Sequence, residues 1–435
     1  MDLAMKKPLV ISALDIGSSK VTCLIASRGE DDTSFRVVGV ASIPSKGVRK
    51  SQIVDIEETI DAATSAVEMA ERMACFGIKN AAVSISGIHI DSQNSKGLVA
   101  VQNPDGEITR ADVARVVEAA KAVPLENARE ILHVIPRYYL VDNQDGIKDP
   151  VGMSGVRLEA EAHLVTGSAV NTKNLGKVMS EIGLDTSAVT FSGYASAIST
   201  VTDTERELGV VVIDIGGGTT SVCVYVEGAL THSAVIPVGA KNITNDIAIG
   251  LRVSLDTAEA IKRNLEPDST YTKVLDPKNP QSKKQADEID LHKLGLKDAP
   301  RKISRKAVVE GIMRPRISEL FELIKAQLIK ASMGGKTPAG IVLTGGGALT
   351  YQIADAAKRI LGMQARVATS IGLTGLIDEI ATPEFATVTG LILLQAKQND
   401  ILDSSSSFSM PKFNLSIKNP FSGNKIIEFF KSFLP

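Results

Sequence analysis

The hydrophobic pattern of this chain consists of short apolar runs that alternate with longer segments of helical periodicity. The run VISAL before Asp15 and the run VVVI before Asp214 each predict a buried strand. A turn of small residues and a second apolar strand follow each run. Residues 56–76 and 314–333 have the period of amphipathic helices. Strands that alternate with helices in this way predict an α/β protein of two similar lobes.

Changes in the pattern divide the chain into segments. Two lobe cores are expected from separated stretches, the first from residues 8–83, 164–206 and 367–398, the second from residues 207–240 and 305–366. An inserted subdomain, residues 84–163, is expected to have short strands and a helix capped by Thr109. Residues 241–304 are helical and then polar and rich in lysine, which predicts a small surface subdomain of the second lobe.

The tripeptide Asp-Ile-Gly stands at the same place in both halves, at residues 15–17 and 214–216. A carboxylate at the end of an apolar strand is costly unless something pairs with it. Glycine turns expose backbone N–H groups, which favour an anion. A third cluster, residues 345–347, lies between an apolar strand and a helix expected to begin near Leu349. Alone, this cluster fits a close-packed turn equally well, but together the three turns indicate a phosphate site.

Two Asp-Gly hairpins and a third glycine turn, in this order, resemble the ATP-binding core of actin, DnaK-type chaperones and sugar kinases. The likeness narrows at residues 145–167, 207–225 and 340–349, which look like segments of the FtsA family of actin-like cell-division proteins. The resemblance covers about residues 8–398 and extends to the amphipathic end of the chain. It implies an actin-like two-lobed ATPase fold with an inserted α+β subdomain and a C-terminal amphipathic helix.

The resemblance implies ATP and Mg²⁺ as ligands, with a triphosphate gripped by both hairpins. Asp15 and Asp214 would face the Mg²⁺ through its retained waters. An exposed hairpin lysine is the alternative for Lys20. The candidate nucleotide residues are Asp15, Gly17, Ser18, Ser19, Lys20, Asp214, Gly216, Gly217, Gly218, Thr219, Thr220, Gly239, Asn245, Asp246, Glu259, Lys262, Gly345, Gly346 and Gly347.

A Glu and a Lys at helical spacing hold the ribose and adenine in this superfamily. Glu259 and Lys262 have that spacing, three residues apart on one helix face. An ordinary surface ion pair is the alternative interpretation. The sequence identifies no residue that would activate water, so the catalytic residues stay unknown and the chain is expected to be at most a slow ATPase.

The end of the chain changes character after Gln398. Residues 399–423 are rich in serine and predict a disordered linker, and residues 424–435 predict an amphipathic helix. Eleven residues of helix span only about 16 Å, too short to cross a bilayer. An interfacial membrane anchor is therefore expected, and a helix docked on its own globular domain is the alternative. The expected membrane residues are Ile426, Ile427, Phe429, Phe430, Phe433 and Leu434.

Charge and composition limit the classes of binding partner that are expected. The chain has 435 residues and a net charge of −2, which argues against nucleic acid as a partner. Its three cysteines form no paired motif, which fits a reducing cytoplasm. A basic cluster is expected to receive the acidic tail of FtsZ, with an ordinary solvated face as the alternative. Its members are Lys297, Arg301, Lys302, Arg305 and Lys306.

These features favour an ATP-binding, filament-forming adaptor that ties the FtsZ C-terminal tail to the inner face of the cytoplasmic membrane at the division septum. Such a protein would recruit later division proteins and bind lipids reversibly, more firmly as a polymer. A small-molecule kinase or phosphatase of the same superfamily is one alternative, but it has no use for a tethered amphipathic end. A PilM-like pilus-assembly adaptor is the other, and its family lacks this terminal helix.

Overall fold

The computed structural model describes residues 8–29, 32, 34–126, 128–265, 287–292 and 302–405. Strands and helices are numbered in chain order through these residues. None of the helices found there combines the length and the apolar character that crossing a membrane requires. The predicted membrane residues and most of the predicted linker lie outside these ranges.

The first lobe is built on a six-stranded sheet with the order β11-β6-β1-β2-β3-β19. Its strands are β1 (Leu9–Ile16), β2 (Lys20–Arg28), β3 (Arg36–Pro44), β6 (Asn80–Ile85), β11 (Asp185–Phe191) and β19 (Thr374–Gly375). Strands β1 and β2 pair antiparallel, with Asp15 opposite Thr22, which confirms the first predicted hairpin. A two-residue turn joins two further short strands, β4 (Val48–Arg49) and β5 (Gln52–Ile53).

The second lobe is built on a five-stranded sheet with the order β14-β13-β12-β17-β18. Its strands are β12 (Val210–Ile215), β13 (Thr220–Val226), β14 (Ala229–Ile236), β17 (Ile341–Thr344) and β18 (Ala365–Val367). Strands β12 and β13 pair antiparallel, with Asp214 opposite Ser221, which confirms the second hairpin. Two small strands, β15 (Glu288–Asp290) and β16 (Lys302–Ser304), pair with each other beside this lobe.

The inserted subdomain has a four-stranded sheet with the order β7-β10-β8-β9. Its strands are β7 (Asp91–Ala100), β8 (Arg129–Val141), β9 (Gln144–Ile147) and β10 (Arg157–Ser168). Three of the four have ten or more residues, so the prediction of short strands was wrong. Strand β7 is polar and largely exposed, with Gly97 its one buried residue, and it is held by its pairing with β10 along its whole length.

Helices cover the sheets and join the lobes. They are α1 (Ile56–Ala74), α2 (Arg110–Ala120), α3 (Ala169–Glu181), α4 (Ser192–Thr200), α5 (Asp203–Leu208), α6 (Ala240–Leu251), α7 (Leu255–Arg263), α8 (Arg314–Lys330), α9 (Ile353–Leu361), α10 (Ile377–Ile380) and α11 (Ala386–Ser405). Thr109 caps α2 in a capping box with Asp112, as predicted. A short π-helix (Ala307–Met313) leads into α8.

Helix α4 lies between the two sheets. Its Ala195 packs in a core cluster with the first sheet, and its Ala197 packs in a cluster with the second sheet. Helix α11 crosses α4 so closely that a Cβ on Gly390 would overlap the carbonyl oxygen of Ala195. Only glycine allows two helix backbones to approach in this way, so this contact fixes how α4 and α11 pack on the first sheet.

Helix ends differ from the predictions in two places. The helix predicted to begin near Leu349 is a 3-10 turn over Gly346–Leu349, and α9 begins only at Ile353. The last helix, α11, continues to Ser405, so residues 399–405 of the predicted disordered linker are helical. A glycine cluster shows where a strand ends, but it does not fix where the next helix acquires its first full turn.

Candidate functional site

The turns of the two Asp-Gly hairpins lie against each other between the lobes. A Cβ added to Gly217 would lie 2.8 Å from Ser19 Cβ, and one on Gly218 would lie 2.7 Å from Ser18 Oγ. Within the described residues, the backbone N–H groups of Ser18, Ser19, Gly217 and Gly218 have no acceptor. The paired turns therefore present a group of unengaged N–H donors, which suits an anion.

The carboxylates at the ends of the two strands influence each other. Burial raises the pKa of Asp214 to about 6, and the charge of Asp15 adds to this rise, while hydrogen bonds from Ser196 and Thr387 oppose it. Burial also raises the pKa of Asp15, against a hydrogen bond from Ser84 and the charge of Lys20. Two desolvated carboxylates that repel each other are stabilised by a shared cation.

The donor set at these carboxylates suits Mg²⁺. Magnesium takes oxygen ligands, keeps several waters and is commonly held by one or two carboxylates together with phosphates. Within the described residues, no group of three or more His, Cys, Asp or Glu side chains forms a ready-made metal site. Asp15 and Asp214 would thus supply only part of a magnesium shell, and phosphate oxygens and waters would supply the rest.

The third glycine turn packs over the end of β12. Gly345 has a φ of +79°, and a Cβ there would overlap Asp214 Oδ1. A Cβ on Gly347 would overlap the Ile215 side chain. Gly346 is different, because its added Cβ would lie 3.6 Å from the nearest atom, Glu384 Cγ. Two of the three glycines are thus required by close approach to the second hairpin.

Lys20 is not a free hairpin lysine. Its ammonium lies 3.0 Å from Glu384 Oε2 and 4.4 Å from the centre of the Phe385 ring. Arg263 lies 4.0 Å from the other oxygen of Glu384. Since Glu384 also lies beside Gly346, this carboxylate holds Lys20 close to the third turn.

The two candidate threonines of the second hairpin differ. Thr219 is buried and its Oγ1 lies 2.8 Å from Ser51 Oγ, between the turns. Thr220 is fully buried and donates to the Val238 carbonyl at 2.8 Å. This geometry therefore supports a place near the phosphates for Thr219 and gives no support for Thr220.

Glu259 and Lys262 meet on α7 as their spacing predicts. Lys262 Nζ lies 2.7 Å from Glu259 Oε2 and 2.9 Å from Thr244 Oγ1. The lysine side chain is only 8% exposed and the glutamate is 42% exposed. An ordinary surface ion pair does not describe this buried lysine. Its donors are engaged by protein, so Glu259 is the member of the pair that would accept from a ribose hydroxyl.

The start of α6 adjoins the second turn, but its next residues do not. A Cβ on Gly239 would lie 2.6 Å from Gly217 O, so Gly239 belongs to the cleft wall. Asn245 is exposed on α6. Asp246 forms an ion pair with Arg316 at 2.6 Å. The structure brings neither of these two residues into contact with the turns, and their assignment to the cleft stays a prediction without a supporting contact.

The predicted partner site is described only in part. Lys297 and Arg301 lie outside the described residues. Lys302 is half exposed and its ammonium lies 2.7 Å from Glu288 Oε2. The N–H of Lys306 donates to Asp287 Oδ1 at 2.7 Å. The described part of this cluster is thus already interleaved with carboxylates, which reduces its net positive charge.

Sequence reasoning missed three residues at the site. Ser51 donates its N–H to Ser18 Oγ at 2.7 Å, at the tip of the turn between β4 and β5. Lys241 Nζ donates to Ser18 O at 2.7 Å. Glu384 binds Lys20 from a position 364 residues away. Only Lys241 had a local signal, since it follows Gly239 by two positions at the start of a helix.

Models of two families match the chain. The model described as "SHS2 domain inserted in FTSA" matches residues 87–166, and the model "Cell division protein FtsA" matches residues 211–390. Cell division protein FtsA of Pseudomonas aeruginosa is 38% identical over 402 residues, covering 92% of this chain and 93% of its own length. The protein of that name from Borreliella burgdorferi is 35% identical, and the match covers 91% of this chain and 92% of its own length.

Solved structures share the fold at low identity. The PilM-PilN type IV pilus biogenesis complex contains a chain with a TM-score of 0.59 and 15% identity, which covers 88% of this chain and 97% of its own. MreB 5 of Spiroplasma citri bound to AMPPNP has a TM-score of 0.51 and 14% identity, and the match covers 92% of this chain and 100% of its own. At this identity the likeness is to the fold alone, which is the actin-like two-lobed fold expected from the sequence.

Proposed function

This chain belongs to the FtsA family of cell division proteins, and on that premise we propose that it is an ATP-binding, filament-forming adaptor of cell division. It ties FtsZ to the cytoplasmic face of the inner membrane at the division septum, as a peripheral membrane protein, and helps to recruit later division proteins. The observation that carries the proposal is the meeting of two Asp-Gly turns near the buried Asp214 and the half-buried Asp15 in a chain of this family.

ATP with Mg²⁺ binds along the paired turns. The unengaged N–H groups of the turns hold phosphate oxygens, and Asp15 and Asp214 hold the metal through its waters. When bound, the metal neutralises phosphate charge. Glu259 accepts from the ribose hydroxyls, and Lys262 keeps that carboxylate in place. The third turn, at Gly345–Gly347, closes the cleft beside Asp214.

A matched pair of glycine variants tests this assignment. Gly217→Ala places a Cβ 2.8 Å from Ser19 Cβ and pushes the turns apart, whereas Gly176→Ala on α3 meets nothing within 4 Å. We expect a fluorescent ATP analogue with Mg²⁺ to bind more weakly to the first variant and normally to the second. If both bind as the parent does, the nucleotide lies elsewhere.

Membrane attachment is assigned to residues 424–434. The sequence places six large apolar residues at helical spacing, with Lys425, Glu428 and Lys431 on the other side. A helix of this length lies in the interface and binds weakly alone, so attachment is firm only for a polymer in which many copies act together. Self-association into filaments and lipid binding therefore reinforce each other.

FtsZ binding is assigned to the second lobe beside β16. The acidic tail of FtsZ is drawn by the basic residues from Lys297 to Lys306, of which Lys302, Arg305 and Lys306 are described. Because Lys302 already has a carboxylate partner, the tail must compete with Glu288 for this lysine. Binding is therefore expected to weaken as salt rises.

Vesicle flotation with FtsZ of the same organism tests the adaptor function. The parent, Phe430→Glu and a chain ending at Gly423 are each mixed with anionic vesicles, ATP and FtsZ. We expect only the parent to carry FtsZ to the vesicle fraction, while all three bind ATP. Flotation of the shortened chain at the parent's level would contradict the membrane assignment and favour the pilus-adaptor alternative.

A further inference from the structure

One lysine contacts both phosphate turns at once. Lys241 stands at the start of α6, where its backbone N–H donates to Gly217 O of the second turn at 2.9 Å. Its side chain crosses to the first lobe, where the ammonium donates to Ser18 O at 2.7 Å. The residue is thus fixed to one turn by its backbone and to the other by its charge.

The ammonium of Lys241 is held by a neutral group. Lys20 is paired with Glu384, and Lys262 with Glu259, but Lys241 forms no salt bridge within the described residues. A lysine ammonium gains more from an anion than from a neutral backbone carbonyl. This lysine is therefore the one of the three whose present partner a phosphate oxygen would most readily replace.

Lys241 contacts the turn assigned to the phosphates and is also influenced by the charges assigned to the ribose site. Burial lowers its pKa, while the charge of Glu259 raises it and that of Lys262 lowers it further. It is therefore within electrostatic reach of the residues assigned to the ribose, and in hydrogen-bond contact with the turn assigned to the phosphates. The ammonium therefore lies beside the turn assigned to the phosphates.

We propose that Lys241 is a polyphosphate-binding residue that exchanges the Ser18 carbonyl for phosphate oxygens of a bound nucleotide. The inference rests on the proposed function, because it requires the nucleotide to lie along the paired turns. Since the lysine bridges the lobes, the exchange makes the contact between the turns depend on whether phosphates are present.

Three variants separate charge from structure. Lys241→Gln keeps a hydrogen-bond donor for Ser18 but removes the charge, and Lys241→Arg keeps the charge. Lys325→Gln removes an exposed charge on α8 and serves as the matched control. Each protein is titrated with Mg·ATP, with inorganic tripolyphosphate and Mg²⁺, and with adenosine as a competitor of a fluorescent ATP analogue.

We expect Lys241→Gln to lower the affinity for ATP and for tripolyphosphate by roughly tenfold or more, because a charged hydrogen bond is lost. Adenosine should bind to it as to the parent, the dependence of ATP affinity on salt should flatten, and Lys241→Arg should retain most of the affinity. Lys325→Gln should match the parent throughout.

Other outcomes overturn the inference in distinguishable ways. If the parent binds ATP and Lys241→Gln binds it equally well, the lysine has no phosphate role and the proposed function stands. If Lys241→Gln lowers the affinity for adenosine as much as that for ATP and also lowers the melting temperature, the lysine only stabilises the contact between the turns. If the parent binds neither ATP nor tripolyphosphate, the proposed nucleotide site fails as well.

Discussion

The first and second hairpins close their turns with the same backbone hydrogen bond. The N–H of Gly17 donates to Lys20 O at 3.0 Å, and the N–H of Gly216 donates to Thr219 O at 2.9 Å. In both, a Cβ on the glycine would lie 3.0 Å from the same carbonyl oxygen. The two copies of the motif therefore have the same local geometry, and any difference in behaviour must come from their neighbours.

The neighbours of the two hairpins are different in kind. Backbone N–H groups of Ala240 and Lys241, in the same lobe, donate to Gly216 O and Gly217 O of the second turn at 2.9 Å each. The first turn is held in its own lobe by the N–H of Ser45, which donates to Ser19 O at 2.9 Å, and by the N–H of Ser51, which donates to Ser18 Oγ. From the other lobe it is held by the Lys241 ammonium. Both turns thus have backbone donors from their own lobe, but among the described residues only the first turn also receives a charged side chain from the other lobe. We infer that the first turn is the more adjustable of the two, because this side-chain contact can be exchanged.

The packing of the third turn on Asp214 is expected to contribute most to stability. Gly345→Ala forces a side chain into a positive φ and into Asp214, and we expect it to lower the free energy of unfolding by about 3 kcal/mol or more. Gly346→Ala, at the next residue, has ordinary space and should cost less than about 1 kcal/mol. Urea unfolding of both variants measures the difference. Equal losses would show that close packing on Asp214 is unimportant.

Acid is expected to weaken the support of the second hairpin. His163, in β10, lies 3.0 Å from Ser233 Oγ in β14, the strand that pairs with β13. Burial, together with the charges of His232, Arg137 and His133, lowers the pKa of His163 from 6.5 to about 3. Below pH 6.5 His163 is therefore protonated in the unfolded chain but stays neutral in the folded chain. The free energy of unfolding consequently falls as the pH falls.

The expected loss from this histidine is about 2 kcal/mol between pH 7.5 and pH 5. Urea midpoints of the parent, His163→Gln and His292→Gln over this range measure it. The His163 variant should lose part of the pH dependence, and the variant of the exposed His292 should keep all of it. A parent curve that the His163 substitution leaves unchanged would contradict the assignment.

Asp214→Asn is expected to separate stability from binding. Without Mg²⁺ the buried carboxylate is costly at pH 7, so its removal should raise the free energy of unfolding by about 1 kcal/mol, after lost hydrogen bonds are counted. Mg-dependent ATP affinity should fall, because the metal loses a charged partner. Asp15→Asn should also raise the free energy of unfolding, because burial raises the pKa of that carboxylate in spite of Ser84 and Lys20. Calorimetry of both variants tests the sign of the change, and unchanged ATP affinity in both would remove the metal assignment.

The smallest expected effect concerns the contact between Lys20 and Glu384. Both side chains are about a quarter exposed, so Glu384→Gln should change the free energy of unfolding by less than about 1 kcal/mol. With its partner neutral, Lys20 becomes more available to phosphate, so ATP affinity should rise slightly. Lys20→Gln should lower ATP affinity. A binding titration in which ATP affinity rises for Glu384→Gln and falls for Lys20→Gln supports this assignment. A fall in ATP affinity for both variants would contradict it.

Local sequence patterns were enough for the hairpins and for several contacts. The Asp-Ile-Gly repeat predicted both turns because apolar strands and glycine specify a hairpin without distant partners. The spacing of Glu259 and Lys262 predicted their contact because both lie on one helix face. Thr109 predicted the start of α2 for the same local reason.

Contacts between distant parts of the chain could not be predicted. Ser51 meets Thr219 across 168 residues, and Lys241 meets Ser18 across 223. No local pattern marks these residues, because their partners are chosen by how the lobes pack. Burial was also hidden: Thr220 looked like Thr219 in sequence, but the pleat turns its hydroxyl toward Val238. The sequence therefore indicated which chemical groups form the site better than the long-range contacts that bring them together.

Hydrogen exchange of the two turns, with and without Mg·ATP, shows whether the nucleotide lies along them. The N–H groups of Ser18, Ser19, Gly217 and Gly218 have no acceptor within the described residues, so their exchange reports directly on a bound phosphate. We expect Mg·ATP to protect residues 15–21 and 214–221, with the larger change in the first turn. If calorimetry shows that ATP binds while neither segment gains protection, the nucleotide does not lie along the paired turns.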